Sequence, residues 1–359
     1  MGLRAYIAKR IIYSFILLLF VLIVNFLIFE VMPGDPTTLF LPKNRPVTQE
    51  EREKIFAHWG LNKPLHERIF AYMYNLLTWQ LGESFIRRRP VAMELLAYLP
   101  NTLQILGIST ILAIIIGVLL GAIAAHRRGG IFDSTSVTAS LITYSLPTFW
   151  MGMLFIAIFS KSLGWFPVGK IVPDEWAITG WPPPLFTLSL PSAQVAIPGT
   201  TFTIVTPGFQ FNFPGWEEII TRIRFMFLPV LTLTLFQYGG FLLLTRASVL
   251  ETLTEDYITT ARAKGLKERT VLFKHALKNA SLPIITNAAI SLGFIISGAI
   301  ITETVFSWPG IGGWTWTAIN DKDYPILQAV FYITALCVIA ANFIADLIYG
   351  VIDPRIKYG

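Results

Sequence analysis

The sequence has 359 residues, of which 54% are hydrophobic and only 14% are charged. Soluble domains typically carry about 25% charged residues, so this composition excludes an ordinary water-soluble domain and indicates a protein that folds in lipid. The formal net charge of +6 does not predict nucleic-acid binding, because in membrane proteins the Lys and Arg of short loops set the orientation of the chain. Cys337 is the single cysteine, so an intrachain disulfide is impossible.

Six apolar segments are long enough to cross a membrane as helices. About 20 mostly apolar residues are needed to span the hydrocarbon layer, and the segments that meet this condition are 11–32, 102–125, 136–160, 226–248, 282–304 and 326–350. No small-residue cleavage site follows the first segment, so we expect it to be retained rather than removed as a signal peptide. The predicted fold class is an all-α polytopic membrane protein with six transmembrane helices.

The distribution of Lys and Arg predicts the side of the membrane on which each connecting segment lies. Cations are much denser in 1–10, 126–135, 249–281 and 351–359 than in the longer segments between them. Short cytoplasmic loops carry an excess of Lys and Arg. We therefore expect a multi-pass protein of the cell (plasma or inner) membrane with both termini in the cytoplasm.

Two segments on the opposite, extracellular side are too long to be simple connectors. Segment 33–101 opens with the turn-forming Pro33–Pro36 and continues with two amphipathic helical patterns, which Gly60 and Gly82 are expected to cap. Segment 161–225 is rich in Pro, Thr and aromatic residues, with short strand-like runs. We expect this segment to form an ordered extracellular lobe of possible β content, whose role the sequence leaves open.

The predicted domain organisation follows from these segments. In chain order it consists of an N-terminal tail and first transmembrane helix (1–32), an extracellular segment with amphipathic helices (33–101), transmembrane helices two and three (102–160), the extracellular lobe (161–225), transmembrane helices four to six with a cytoplasmic loop at 249–281 (226–350), and a cytoplasmic tail (351–359).

Sequence signatures of enzyme active sites are absent. The four histidines are isolated, and no H-E-x-x-H, Walker A or G-x-S-x-G motif occurs. Glu30, Glu303 and Asp346 are expected near the ends of spans, where a carboxylate can reach the interface, so they do not predict a proton relay. We expect the chain to catalyse no covalent chemistry and to bind no cofactor or metal.

Uncharged polar residues within the spans either hydrogen-bond between helices or line a hydrated path. The residues we consider candidates for such a pathway are Ser145, Pro147, Gln237, Asn287 and Ser291. Pro147 lies inside the third predicted span, so a kink is expected there.

The charged stretch "DYITTARAKGLKERTVLFKHALKN" (256–279) lies between two spans. Thr254 is expected to cap a short helix that Gly265 ends, and a second helix follows. A face of small residues, which are Thr260, Ala261, Ala263 and Gly265, would let a partner backbone come close. The stretch is open to three interpretations: a solvated basic loop, a DNA-binding helix-turn-helix, or a docking element for a cytoplasmic partner. The caps and the small face favour docking.

The stretch "TARAKGLKERTVLFKHALKNASLPIIT" resembles the cytoplasmic loop, called the EAA loop, of ABC importer permeases of the dipeptide, oligopeptide and nickel family. Other family-like pieces occur in the same order: "MPGDP", "LGESF", "RRRPV", "NTLQ", "SLPTFW", "ETVFSWPGIGGW" and "DPRIKYG". The general loop pattern begins with Glu-Ala-Ala and ends with Ile-x-Leu-Pro. Here Thr259-Thr260-Ala261 stands at the start, and Leu282-Pro283 comes five residues late, as in the peptide subgroup.

The resemblance implies a type I ABC importer permease whose coupling helix fits a cleft in an ATPase subunit. The positions it assigns to this contact are Asp256, Tyr257, Thr260, Ala261, Arg262, Ala263, Gly265, Leu266 and His275. The implied partners are a second homologous permease, two cytoplasmic ABC ATPases that bind ATP and Mg, an extracellular solute-binding protein, and membrane lipid. Peptides are the expected solute, and oligosaccharides or nickel are the alternatives. A stand-alone secondary transporter or channel, or a membrane-anchored assembly factor, stays open as a different class.

Overall fold

The computed structural model describes residues 3–31, 63–176 and 215–352, together with four short strands between 186 and 213. The turn predicted at Pro33–Pro36, the helix that Gly60 would cap and the tail after Ile352 lie outside the described residues. The helices are α1 (Leu3–Val31), α2 (Leu65–Leu77), α3 (Val91–His126), α4 (Ile131–Ser145), α5 (Thr148–Ser162), α6 (Trp216–Thr252), α7 (Asp256–Ala263), α8 (Glu268–Asn279), α9 (Ser281–Ser297), α10 (Ile300–Val305), α11 (Ile311–Asp321) and α12 (Tyr324–Ile352).

The structure provides four long membrane-crossing helices and two bent pairs. Within the described residues, α1, α3, α6 and α12 are each long and apolar enough to cross a membrane. The pairs α4–α5 and α8–α9 pass the same test only when each is taken as one broken span, with bends of 99° and 62°. The prediction of an all-α membrane protein is therefore confirmed, and the described residues contain four candidate spans by length and composition, or up to six if each bent pair is one span.

The third predicted span, 136–160, is broken rather than merely kinked. Leu146 has an extended backbone (φ −77°, ψ 133°) that ends α4. A residue before proline is disfavoured in the helical region, and proline itself cannot donate to the preceding turn. Pro147 therefore does more than the expected kink, because α5 starts after it in a new direction.

The fifth predicted span, 282–304, begins next to the start of α9 at Ser281, but was predicted to run past the end of that helix. The helix ends at Ser297, because Gly298 adopts φ +75°. A Cβ atom on Gly298 would lie 2.6 Å from the Cα atom of Gly312, so only glycine fits this approach. The chain then folds back as the short helix α10 and the helix α11, which we call the α10–α11 hairpin.

The chain divides into two compact units, residues 1–154 with 229–359, and residues 155–228. In the first unit, a core of buried side chains joins α1, α2, α3, α11 and α12, including Leu22, Val91, Ile311 and Leu327. Asn25 Nδ2 donates to Tyr72 Oη at 2.7 Å, which adds a polar contact between α1 and α2.

The second unit contains all four described strands. The outer strands β1 (Phe186–Leu190) and β4 (Phe209–Phe213) pair in antiparallel fashion, and so do β2 (Ala193–Ala196) and β3 (Thr203–Thr206) between them in the sequence. The β content expected for this segment is therefore present.

The end of α2 differs from the prediction. Trp79, with φ +62°, follows the last turn of α2, so Gly82 does not cap this helix. Gly82 instead precedes a short loop that Asp323 holds in place. Asp323 is 2% exposed and accepts hydrogen bonds from Ser84 Oγ at 2.5 Å and from the Phe85 N–H at 3.0 Å.

Candidate functional site

The loop between α6 and α9 folds as the two predicted helices, with one change at its start. Glu255, in an extended conformation, precedes α7 and takes the capping position that was predicted for Thr254. Thr254 Oγ1 instead donates to the Glu251 carbonyl at 2.7 Å, at the end of α6. Asp256 in the first turn of α7 complements the helix dipole.

Gly265 ends α7 as predicted. It adopts φ +71°, its N–H donates to the Arg262 carbonyl at 2.9 Å, and the N–H of Leu266 donates to the Ala261 carbonyl at 3.4 Å. These two bonds form a Schellman motif, whose left-handed residue is usually glycine. A Cβ atom at Gly265 would meet nothing within 4 Å, so its role within this chain is conformational.

One side of α7 packs against the ends of α3 and α6. Ile258 and Ala261 are 0% and 6% exposed. They belong to a cluster of buried residues whose other members are Ala122, Ala125, Val249, Val271, Leu272, Ala276 and Ala280. Ala261 therefore faces the interior of this chain, so its predicted place on a small face open to a partner is wrong. The sequence could not show which of two small-residue sides of α7 packs inward.

The opposite side of α7 is exposed. Tyr257 and Leu266 each keep 39% of their surface accessible, and the predicted positions Thr260, Ala263 and Gly265 are also exposed. We call these five residues the coupling surface. Aromatic and aliphatic side chains flanked by small residues on a short helix are suited to a shallow cleft in another protein.

The remaining predicted loop residues lie beside the coupling surface. Arg262 Nε lies 3.0 Å from Glu268 Oε1, and His126 Nδ1 lies 3.9 Å from Glu268 Oε2. Glu268 thus connects α7, the start of α8 and the end of α3. Asp256 is exposed, and His275 is half-buried on α8.

Sequence reasoning missed an ion pair near this loop. Arg246 of α6 binds Asp133 of α4 with two hydrogen bonds, from Nε at 2.6 Å and from Nη2 at 2.8 Å. The Gly129 N–H also donates to Asp133 Oδ2 at 2.9 Å. The partners are 113 residues apart in the sequence, and no spacing pattern connects them.

The five pathway candidates do not form one cluster of contacts. Gln237 Oε1 accepts a hydrogen bond from Thr110 Oγ1 at 3.0 Å, so this residue joins α6 to α3. Ser145 and Pro147 are exposed at the α4–α5 break. Asn287 and Ser291 are half-buried one turn apart on α9, where Ser291 Oγ donates to the Asn287 carbonyl. Whether these residues line a pathway stays a prediction.

Two of the family-like sequence pieces meet at the α10–α11 hairpin. Asn101 Nδ2 donates to the Pro309 carbonyl at 2.8 Å, and Trp308 Nε1 donates to the Asn101 carbonyl at 2.9 Å. Thr102 Oγ1 donates to Glu303 Oε1 at 3.1 Å. The pieces "NTLQ" and "ETVFSWPGIGGW" are therefore parts of one structural element.

Glu303 does not reach an interface as predicted. It is 1% exposed, and its carboxylate also accepts hydrogen bonds from the N–H groups of Gly313 at 2.8 Å and Ala299 at 3.2 Å. The expectation failed because the break at Gly298 turns α10 inward. Asp346 Oδ2 lies 2.8 Å from Arg10 Nη1, which joins α12 to α1. Within the described residues, no group of three or more His, Cys, Asp or Glu could hold a metal.

Comparison with known proteins gives a match over nearly the whole chain. The family model for the binding-protein-dependent transport system inner membrane component matches residues 117–358, and the model for its N-terminal region matches residues 3–106. The oligopeptide transport system permease protein AppB of Bacillus subtilis is 35% identical over 99% of both chains. The di/tripeptide transport system permease protein DppB of Pseudomonas aeruginosa is 36% identical over 94% of both chains, and the dipeptide transport system permease protein DppB of Escherichia coli is 34% identical over 94% of both. The chain therefore belongs to the family of inner membrane components of binding-protein-dependent transport systems and is a permease subunit of an ABC importer.

Proposed function

We propose that this permease imports peptides as one half of a translocation pathway. The three relatives above are each named for oligopeptides, di/tripeptides or dipeptides, which supports a peptide as the solute. A second homologous permease completes the pathway, two cytoplasmic ABC ATPases bind ATP and Mg, and an extracellular solute-binding protein delivers the peptide. Oligosaccharides or nickel are the alternative solutes. In this arrangement both termini and the α7–α8 loop lie in the cytoplasm.

The observation that carries the proposal is that α7 has one buried and one exposed side. Ile258 and Ala261 are packed against the ends of α3 and α6, while Tyr257 and Leu266 are exposed on the coupling surface. Protein interiors are close-packed and transmit strain. A partner that binds the coupling surface and then moves would therefore also move the packed ends of α3 and α6.

The charge beside the coupling surface favours an acidic partner. Lys264, Lys267 and Arg269 are exposed and form no salt bridge within the part of the chain that the structure describes. The side of the loop that packs on α3 and α6 is occupied by its own apolar core, and these cations lie on the exposed part of the loop. We expect carboxylates around the cleft of the ATPase, because complementary charge steers and aligns protein partners.

The contacts of the carboxylates Glu303 and Asp346 support an ATP-driven importer better than a stand-alone secondary transporter. Such a transporter needs ionisable groups that exchange an ion during transport. Glu303 accepts hydrogen bonds from Thr102, Gly313 and Ala299, and Asp346 is paired with Arg10. These contacts favour structural roles for both carboxylates and an external source of energy.

The ATPases would act by shifting the permease between inward-open and outward-open states. A ligand shifts such an equilibrium only if it binds the two states with different affinity. Closure of the ATPases on ATP would favour one position of the two coupling loops and therefore one state of the pathway. The exposed Ser145 and Pro147, and the half-buried Asn287 and Ser291, are the residues that we propose to contact the solute.

Reconstituted transport tests the proposal. The chain is co-purified with the second permease and the two ATPases, placed in proteoliposomes, and assayed for uptake of labelled di- and oligopeptides in the presence of the solute-binding protein. Uptake should require ATP on the side of the α7–α8 loop and should stop when the ATPase Walker lysine is replaced. Uptake that is driven by an ion gradient without ATP would contradict the proposal, and no uptake of peptides, oligosaccharides or nickel by the complete set would support an assembly role. A thermal-shift screen of the solute-binding protein with peptides, oligosaccharides and nickel identifies the solute.

A further inference from the structure

Helix α4 is fastened to α6 along its length. At one end Arg246 holds Asp133, whose side chain is only 6% exposed. In the middle, a Cβ atom on Gly239 would lie 2.8 Å from the Ser140 carbonyl oxygen, so the two backbones nearly touch. At the other end the rings of Tyr144 and Phe236 stack with centroids 5.7 Å apart. This part of α4 can therefore shift little against α6.

Helix α3 is packed on α6 in the same way. A Cβ atom on Gly121 would lie 2.6 Å from the Leu242 carbonyl oxygen, and Gly117 is as close to α6. Ala122 and Ala125 of α3 then share the buried cluster under α7. Residues 108–126, 131–145 and 229–252 therefore form one close-packed group that carries the α7–α8 loop, and we call it the base group.

Beyond the α4–α5 break the chain has different neighbours. Met151 is 2% exposed, and a Cβ atom on Gly152 would lie 3.1 Å from the Phe306 ring and 3.2 Å from Val305 Cγ1. Val305 and Phe306 belong to the α10–α11 hairpin, which Glu303 ties to Thr102. The start of α5 is thus packed with this hairpin.

The helices that connect the base group with the α10–α11 hairpin each have irregular backbone in the part that lies between that group and the hairpin. Besides the break at Leu146–Pro147, α3 contains a widened, π-helical segment at Leu103–Gly107, directly after Thr102. Helix α9 is bent by 62° from α8 and ends at Ser297, directly before Gly298 and the hairpin. Single π-helical turns inside α-helices are frequent at functional sites.

From these contacts we infer that the Leu146–Pro147 break is a hinge of the transport cycle and that Asp133 and Arg246 are positioning residues that make α4 move with the α7–α8 loop. The inference rests on the proposed function, in which ATPases displace that loop. The base group moves as one body, and the α10–α11 hairpin with the start of α5 forms the other. Without the ion pair, the coupling loop would still bind ATPases, but its motion would reach the hinge less completely.

The test replaces the ion pair by apolar side chains of similar size. Asp133→Asn alone would leave a charge without its partner and destabilise the protein, whereas replacing both partners is often tolerated. The variant is therefore Asp133→Leu with Arg246→Met. The measurement is the number of peptides taken up per ATP hydrolysed in proteoliposomes, together with co-purification of the ATPases. Arg10→Met with Asp346→Leu is the matched control, because it removes an ion pair outside the base group.

The expected result is normal ATPase co-purification with uptake per ATP lowered by roughly two- to thirtyfold, the range for changes in coupling between distant sites. The control should keep the wild-type ratio. An unchanged ratio in the Asp133→Leu, Arg246→Met variant would overturn the inference. If no ATPase co-purifies with the wild-type chain, the proposed function is overturned instead. Pro147→Ala gives a second, independent test, since a straighter α4–α5 helix should also lower the ratio; an unchanged ratio there would overturn the hinge.

Discussion

Replacing Gly265 by Asp places a carboxylate at the turn of the coupling surface. The residue has φ +71°, and an L-residue in the left-handed region costs about 1–2 kcal/mol. A Cβ atom there meets no heavy atom within 4 Å, so no steric clash adds to this cost. The variant should therefore fold and accumulate in the membrane at a level close to that of the wild type.

Binding of the ATPases should respond far more strongly than folding. A buried charge without a partner costs about 3–5 kcal/mol, and each 1.4 kcal/mol is tenfold in affinity. If the turn at Gly265 is enclosed by an ATPase cleft, the affinity of the Gly265→Asp variant should fall by roughly two to three and a half orders of magnitude. ATP-dependent transport should be lost with it.

The assay is co-purification of the ATPases with the solubilised permease, compared with the amount of permease in the membrane. Gly265→Asn is the neutral control, because Asn tolerates the left-handed conformation and brings no charge; it should keep most of the binding. Gly164→Asp is the control for strain and charge, since Gly164 has φ +65° and no heavy atom within 4 Å of its Cβ position. Normal recovery of ATPases with Gly265→Asp would refute the reasoning.

Three further changes test separate contacts. Lys264→Glu with Lys267→Glu should weaken ATPase binding. The affinity of the wild type for the ATPases should fall as the salt concentration rises, because screening weakens attraction between exposed charges. Binding that does not depend on salt in either protein would argue against an acidic cleft. Glu303→Gln should lower the melting temperature of the solubilised protein, because an amide NH2 would face N–H donors and leave buried groups unpaired, at about 1–3 kcal/mol; an unchanged temperature would contradict the role of this carboxylate. Gly298→Ala should also lower the melting temperature, since its Cβ atom would clash with Gly312 and overpacking typically costs about 1–3 kcal/mol; a wild-type curve would show that the backbone can separate there.

Much of the fold could be predicted because lipid imposes simple rules on the sequence. Long apolar segments identified α1, α3, α6 and α12, since a helix must satisfy its backbone polar groups within the bilayer. Local backbone chemistry was equally readable. Proline at 147 indicated a kink at the place where the span proves to be broken, and glycine at 265 indicated the end of a helix, because both effects depend on a single residue.

Tertiary contacts account for the errors. Ala261 was expected to be open to a partner, yet the direction in which α7 packs depends on Ala122, Ala125 and Val249 in other parts of the chain. Glu303 was expected at an interface because a continuous fifth helix would have put it there, and the turn at Gly298 buries it instead.

The candidate site was predictable in place but not in geometry. The spacing around Gly265 and the family-like pieces pointed to the α7–α8 loop before any contact was known. The Asp133–Arg246 pair could not be found in this way, because neither residue belongs to a motif and their partnership arises only when α4 packs on α6.

Cross-linking tests most directly whether ATPases act on this chain through the coupling surface. Cys337 is the only cysteine, so a Cys337→Ser background permits single cysteines at the exposed Thr260 of α7 and, as a control, at the exposed Thr78 after α2. In the assembled transporter, a short thiol-and-amine cross-linker should join Thr260→Cys to an ATPase subunit, with a yield that changes on ATP binding, and should not join Thr78→Cys to it. A transport-competent complex in which Thr260→Cys forms no cross-link to an ATPase would contradict the account.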